Sequence, residues 1–240
     1  MKRRSILSQC SKLLVYCIAG LICFGLSACG DECSGTGCED NLSLTSDQTC
    51  SASTATKGAT CVFGPYEWLV LDKQNNKALL LAKDVLVEKP YNTTDLPVTW
   101  ASCILRSWLN NEFLNEFTSQ EQAKIDLTTN VNENNQWYGT AGGDTTQDRI
   151  FLLSLSEMVK YFGDSGQLAS GPGTIPWIDD TYNSERIAKY NGSATLWWLR
   201  SPGFINYSAA FVSADGIVYV SGSNIFDDYR GVRPALWLNL

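Results

Sequence analysis

The chain has 240 residues, with 18 Lys and Arg against 25 Asp and Glu, no His, and a formal charge of -7. That balance excludes nucleic acid and other polyanions as partners, because these require clustered Lys and Arg. The lack of His, with no Cys-x-x-Cys spacing, argues against a zinc site or a Cys/His nucleophile.

Met1-Lys-Arg-Arg4 is followed by an apolar run from Leu13 to Leu26, then by Leu26-Ser-Ala-Cys29. A basic start, a short apolar region and small residues before a cut site predict a secretory signal peptide over residues 1–28. The run is shorter than the roughly 20 apolar residues that span a bilayer. Leu-Ser-Ala-Cys resembles a bacterial lipobox, in which the cysteine is acylated (by palmitate and similar chains) and becomes the first residue. Cys29 is therefore expected to be the lipid site and the membrane the first partner. At about 0.8 kcal/mol per buried methylene, several chains hold a domain firmly at a membrane, so the expected location is the cell envelope. Gly30-Asp31-Glu32 resembles the surface-export signals of some Gram-negative lipoproteins, the alternative being a polar tether facing the periplasm.

Residues 29–60, rich in Ser, Thr, Gly, Asp and Cys, read as a flexible tether, and 61–240 as one domain. Beyond the signal and the lipid site, the cysteines are Cys33, Cys38, Cys50, Cys61 and Cys103. An oxidising compartment allows disulfides, and an odd count leaves a thiol over. Cys33 with Cys38 and Cys50 with Cys61 are the economical pairs, although spacing does not fix connectivity. Cys103 reads as a buried, inert thiol at the start of a helix.

Tyr66 to Leu71 and Lys77 to Ala82 are apolar β-rich runs around Asp72-Lys-Gln-Asn-Asn76, which predicts a hairpin with a loop of about five residues. Ser102 is a plausible N-cap for a helix carrying Leu105, Trp108, Leu109 and Phe113. Thr118-Ser-Gln-Glu121 and Ser154-Leu-Ser-Glu157 are capping boxes that open two further short helices, the second ending at Gly163. Residues 128–148 and 164–191 are polar or rich in Gly and Pro and read as long loops. Asp148 to Leu153 reads as a short strand. Asp215-Gly216 predicts a two-residue hairpin turn that sets Val212 opposite Tyr219 and Phe211 opposite Val220. Gly231 to Leu240 alternates as a final strand, edged or bulged at Pro234. The layout is α+β with long loops, which are usually functional.

Val62-Phe-Gly-Pro-Tyr66, Glu67-Trp-Leu-Val-Leu71, Leu105-Arg-Ser-Trp-Leu-Asn110, Phe151-Leu-Leu-Ser154, Trp197-Trp-Leu-Arg-Ser-Pro-Gly203 and Gly231-Val-Arg-Pro-Ala-Leu-Trp237 follow one another in order. Over roughly residues 61–240 they closely resemble the bacterial domain-of-unknown-function family 6273, which carries no assigned activity. Its Trp-led strands, irregular loops and closing strand look like the C-type lectin-like and formylglycine-generating-enzyme superfold. The resemblance implies a single C-type lectin-like domain. The calcium-dependent sugar signatures of C-type lectins are absent, as are cysteines after Cys103, so neither activity carries over.

Two readings compete for Trp197 to Gly203. In one, a Trp fills the core and Arg200 makes fixed bonds to carbonyls or a carboxylate. In the other, Trp198 and Arg200 stand at a rim with Tyr207, Tyr229 and Arg230, where aromatic faces stack on sugars or anchor a partner. Asp227 and Asp228, with Asp179 and Asp180, are weak candidates for calcium, the only cofactor considered; Asp215 is explained by its turn. Arg106 reads as solvated or paired and Arg233 as a buried structural residue. The expected function is a non-catalytic binding or structural module for a glycan or protein ligand. The alternative is a glycan-acting hydrolase using loop carboxylates such as Glu67 with Asp228.

Overall fold

The computed structural model describes residues 48–240. The signal segment, Cys29, Cys33 and Cys38 lie outside the described residues. The folded unit starts before Cys61. Cys50 is disulfide-bonded to Cys61, Cys50 N–H donates to Val62 O at 2.9 Å and Gly58 N–H to Val70 O at 2.8 Å, and Ala55 is buried. From Thr49 on, the segment expected to be a free tether is held on the domain, because the disulfide and backbone bonds replace the apolar side chains it lacks.

Strands β1 (Thr60–Phe63), β2 (Tyr66–Gln74) and β3 (Lys77–Ala82) form an antiparallel meander. The β2–β3 turn is only Asn75-Asn76, with Gln74 opposite Lys77 and Asn75 at φ 55°. The expected five-residue loop is thus corrected to two. Asp72 to Gln74 are polar yet stay in the ladder, since a strand end needs no buried face and Asn tolerates left-handed backbone. A bulge at Leu71 shifts the register between Val70 and Asp72.

After β4 (Val87–Glu88), a single turn leads into α1 (Ile104–Trp108). Cys103, not Ser102, is the N-cap, its sulfur accepting from Arg106 N–H at 3.4 Å. Ser102 is already engaged by Thr99 N–H at 3.1 Å. The chain continues through a wider turn to Glu116 and keeps Leu105, Leu109 and Phe113 buried. Asn110 ties this helix to the next layer: it donates to Ile150 O at 2.8 Å and accepts from Arg149 N–H at 2.8 Å.

Both capping boxes form as expected, Thr118 with Glu121 opening α2 (Ser119–Lys124) and Ser154 with Glu157 opening α3 (Leu155–Phe162), which ends at Gly163. Between them, β5 (Thr128–Asn130) pairs with β6 (Thr146–Asp148). The strand expected over Asp148 to Leu153 is reduced to β6 and one bridge, Phe151 to Ala235. The carbonyls of Leu152 and Leu153 are taken instead by the side chain and N–H of Arg200. The second expected loop contains α4 (Gln167–Ser170), β7 (Trp177–Ile178), α5 (Asn183–Arg186) and β8 (Ala188–Tyr190), which pairs with β9 (Ser193–Thr195).

Strands β10 (Trp197–Pro202), β11 (Ser208–Val212), β12 (Val218–Asn224), β13 (Gly231–Val232) and β14 (Ala235–Asn239) complete the chain. Two main sheets result, ordered β1-β2-β3-β14 and β4-β13-β10-β11-β12-β7. The β11–β12 register sets Val212 opposite Val218 and Phe211 opposite Tyr219, one residue from expectation. The connection is Ala214-Asp215-Gly216, because Ser213 N–H pairs with Ile217 O at 2.8 Å and Gly216 takes φ 81°, a three-residue turn closed by a left-handed glycine.

The final strand breaks at Arg233-Pro234, as the proline predicts, and its halves join different sheets. Arg233 fills the crossing. It donates to Ala82 O and Lys83 O, both at 2.9 Å, and its cation lies 5.0 Å from the Trp197 ring centroid. Every residue of β10 is buried, so Trp197 and Trp198, which an extended strand sends to opposite faces, are both in the core.

Candidate functional site

Three of the five residues expected at a rim are scaffold. Trp198 donates its indole N–H to Lys89 O at 3.0 Å. Arg200 is 5% exposed and bonds Leu152 O at 2.8 Å, Asn132 Oδ1 at 3.3 Å and the Glu157 carboxylate. Arg230 lies 3.8 Å from the Phe211 ring centroid and pairs with Asp227 at 3.1 Å. The rim placement of Trp198, Arg200 and Arg230 is therefore corrected, because every residue of β10 is buried and Arg230 is itself covered against Phe211 and Asp227. Tyr207 and Tyr229 are exposed, at 40% and 53%.

The calcium candidates are not brought together. Asp180 forms a buried ion pair with Arg186 at 2.9 Å. Burial pushes its carboxyl up, but bonds from the Tyr182 and Ser165 N–H groups and from Arg186 outweigh that and hold it below the usual carboxylate range. Asp179 accepts from Asn183 at 2.7 Å, Asp227 is spent on Arg230 and on Ser223 at 2.8 Å, and Asp228 is exposed. Among the described residues no group of three or more His, Cys, Asp or Glu side chains is placed to hold a metal ion. Glu67, in β2, is ion-paired with Lys83 at 2.8 Å, and Asp228 stands in the loop between β12 and β13.

Arg106 is paired, with Asp148, which is fully buried and also accepts from Trp100 Nε1 at 3.0 Å, Asn130 Nδ2 at 3.0 Å and Thr146 Oγ1 at 2.7 Å. Burial pushes the Cys103 thiol up to about 12 against bonds from Arg106 N–H and Tyr91, which makes it inert at neutral pH.

On one face of the six-stranded sheet the register lines up an aromatic row. Trp198 is opposite Phe211, Phe211 opposite Tyr219, and Tyr219 opposite Trp177. Ring centroids are 6.5, 4.7 and 5.6 Å apart along it. The row begins in the core and ends half-exposed at Trp177, on the edge strand.

Beyond that edge the loops gather. Buried Asn135 donates to Pro202 O and Val220 O, both at 2.8 Å, and accepts from the N–H groups of Trp137 at 2.9 Å and Tyr138 at 3.2 Å. The 135–140 turn is thereby pinned across the ends of β10 and β12. Phe204 N–H bonds Ser221 O at 2.8 Å, and Ser221 N–H bonds Pro176 O at 3.4 Å. This end of the sheet therefore carries, as neighbours, Ile175, Tyr138, Phe204, Ile205 and Tyr207, each between 37% and 51% exposed, and the half-buried Trp137 and Trp177. Exposed apolar groups gathered in this way mark contact surfaces more often than isolated ones do.

Two open grooves cut this surface. One, of about 460 Å³, is lined by Pro97, Thr140 and Phe204 to Tyr207. The other, of about 290 Å³, runs between Trp137 and Trp177 past Gln167, Ser170, Gly173 and Thr174. Neither lining contains Lys, Arg, Asp or Glu. Such walls can stack on apolar ring faces and exchange hydrogen bonds with neutral groups, but their hydroxyls have no carboxylate or Lys beside them in the lining to act as an acid or base. Trp137, Tyr138, Ile175, Trp177, Phe204 and Ile205 were not anticipated as site residues. The available signal was large apolar side chains inside segments otherwise too polar to make core.

No curated protein and no solved structure matches the chain. The fold is α+β, with mostly antiparallel strands and a few short helices. Residues 75–240 match the model of the family described as domain of unknown function (DUF6273), and the chain belongs to that family.

Proposed function

We propose that this chain is a lipid-anchored protein of the bacterial cell envelope, held through Cys29, whose C-type lectin-like domain is a non-catalytic module that binds a glycan or protein ligand at the loop end of the six-stranded sheet. The observation that carries it is the contrast in aromatic placement. Trp68, Trp100, Trp197 and Trp198 are sealed in the core, while the segment before β7, the loop after β10 and the 135–140 turn fixed by the buried Asn135 hold large apolar side chains in solvent. Exposing them costs solubility and stability, which a rigid contact surface explains. A sheet with irregular loops presented at one end supports the C-type lectin-like comparison. The Leu26-Ser-Ala-Cys29 motif supports the anchor. The two uncharged grooves favour binding over a hydrolase that works with two carboxylates.

Fractionation of cells expressing the full chain tests this. Wild type sediments with membranes; Cys29→Ser becomes soluble and keeps its affinity for purified envelope material; adding Trp177→Ala and Phe204→Ser to Cys29→Ser abolishes that affinity. Cys29→Ser staying membrane-bound at unchanged processed size overturns the anchor. Retention untouched by the two loop-end changes overturns the binding surface.

A further inference from the structure

We infer that the groove between Trp137 and Trp177 is a subsite for one pyranose ring of a neutral glycan chain; this rests on the loop end being the binding surface. The groove has two aromatic walls whose positions are set from behind. Trp137 spends its indole N–H on Leu168 O at 2.9 Å, and its backbone N–H is held by Asn135, so the ring is locked. Trp177 is backed by Tyr219, centroids 5.6 Å apart and planes tilted by 36°, at the outer end of the aromatic row rooted in the core. Its own indole N–H has no protein acceptor among the described residues and is not sealed from solvent.

The lining adds the Thr174 hydroxyl, the Ser170 hydroxyl, which donates to Gly166 O at 2.8 Å and keeps its lone pairs as acceptors, and the Gln167 amide, whose nitrogen lies 3.5 Å from Asp179 O and whose oxygen remains an acceptor, with no charge. A pyranose combines apolar C–H faces with a belt of hydroxyls, which matches rings plus neutral hydrogen-bonding groups. An anion would want Arg or Lys, and a cation would want carboxylates. Neither is in the lining, although the chain as a whole carries -7.

Gly173, on the same lining, offers a way to block the groove. Its backbone does not adopt the left-handed region, and a Cβ placed on it would meet no atom within 4 Å. Neither conformation nor packing requires glycine there. A larger side chain at this lining position meets open space rather than packed atoms. That makes a blocking substitution available that leaves the fold untouched.

The test is titration of the full chain in detergent micelles, followed by tryptophan fluorescence, with neutral hexaoses of β-1,4-glucose, α-1,4-glucose, β-1,4-mannose and β-1,4-N-acetylglucosamine. An α-1,4-galacturonate hexaose is the charged control, and reduced, carboxymethylated lactalbumin is the extended-peptide control. At least one neutral hexaose binds, Gly173→Leu and Trp177→Ala each weaken it by about tenfold or more, and Gly173→Leu leaves the unfolding midpoint unchanged. Leu127→Ala, on an exposed side chain outside both linings, leaves the affinity unchanged, and Tyr207→Ala probes the other groove. Affinity lost in Tyr207→Ala but kept in Gly173→Leu and Trp177→Ala overturns the subsite and leaves the loop end as the binding surface. No neutral hexaose binding, or tighter binding of the peptide or the galacturonate, overturns the subsite, while the envelope-retention experiment decides the wider reading separately.

Discussion

Asn135→Ala is the substitution that links fold to site. The side chain makes four hydrogen bonds while 2% exposed: two donated to Pro202 O and Val220 O, two accepted from Trp137 and Tyr138 N–H. Each such bond contributes roughly 0.5–1.5 kcal/mol net, and unsatisfied buried partners cost more than the bond itself returned. Four such bonds bracket about 2–6 kcal/mol, and because water reaches the two N–H groups at the turn more readily than the two carbonyls between strands, a loss of about 3 kcal/mol is expected, in the lower half of that bracket. For a domain of this size the unfolding midpoint falls by about 6–12 °C. Urea unfolding gives a lower midpoint at unchanged slope, since the surface exposed on unfolding is the same. Asn135→Asp is expected to be worse, because it keeps both acceptors but sets a carboxylate against two carbonyl oxygens. The exposed neighbour change Gln136→Ala is the control and stays within about 0.5 kcal/mol of wild type. If Asn135→Ala also stayed within that margin, the turn would not be pinned in the manner described, and the rigidity attributed to Trp137 and Tyr138 would have no basis.

Three further outcomes are expected. Burial raises the Cys103 thiol from 9.0 to about 12 in the fold, so the unfolded chain releases this proton first as pH rises. The thiol's contribution is whole below pH 9 and shrinks by about 1.4 kcal/mol per unit between pH 9 and 12; comparing urea midpoints of wild type and Cys103→Ala at pH 8 and 10 shows the steeper loss in wild type. Reduction of Cys50–Cys61, separated by 11 residues, lowers stability by about 3 kcal/mol on chain-entropy grounds. An unfolding midpoint unchanged by dithiothreitol would deny the staple its role. Asp148→Asn places an amide among donors from Arg106, Trp100, Asn130 and Thr146 and costs about 3 kcal/mol or more, read by calorimetry.

Local devices were the legible part of the fold. Thr118 with Glu121 and Ser154 with Glu157 form as read, because a capping box closes within four residues and needs nothing from elsewhere. Pro234 breaks its strand for an equally local reason, its missing donor. What failed depends on long-range contacts. The Asp215-Gly216 pair fits two turn lengths, and only the register of β11 on β12 selects the longer. For Trp198 and Arg200 the sequence left scaffold and rim both open, because period-two alternation places a side chain on a face without saying what covers that face; the scaffold reading, with Arg200 on the Leu152 carbonyl and the Glu157 carboxylate, is the one the fold adopts. Asp180 looked like a metal ligand because its partner, Arg186, was read as part of a structureless loop.

The site residues were missed by the same habit. Trp137, Ile175 and Trp177 sit in segments whose Asn, Gly and Pro content marks them as connectors, so their apolar side chains had no periodic context. A large ring in such a segment either folds back onto the core or stays in solvent, and composition does not distinguish the two. Tyr207 and Tyr229 are exposed, and each follows a polar loop residue, Asn206 and Asp228.

Thermal unfolding of the full chain with neutral hexaoses, with calcium and with EDTA puts the binding reading to its shortest test. A ligand present at 100 times its dissociation constant and bound only by the native state adds about 2.7 kcal/mol, a rise of roughly 5–11 °C for a domain of this size. A neutral hexaose should produce that rise in wild type and lose it in Trp177→Ala, with calcium and EDTA leaving the midpoint in place. A rise with calcium reversed by EDTA, or a hexaose rise undiminished in Trp177→Ala, would contradict the assignment of an uncharged aromatic site at the loop end.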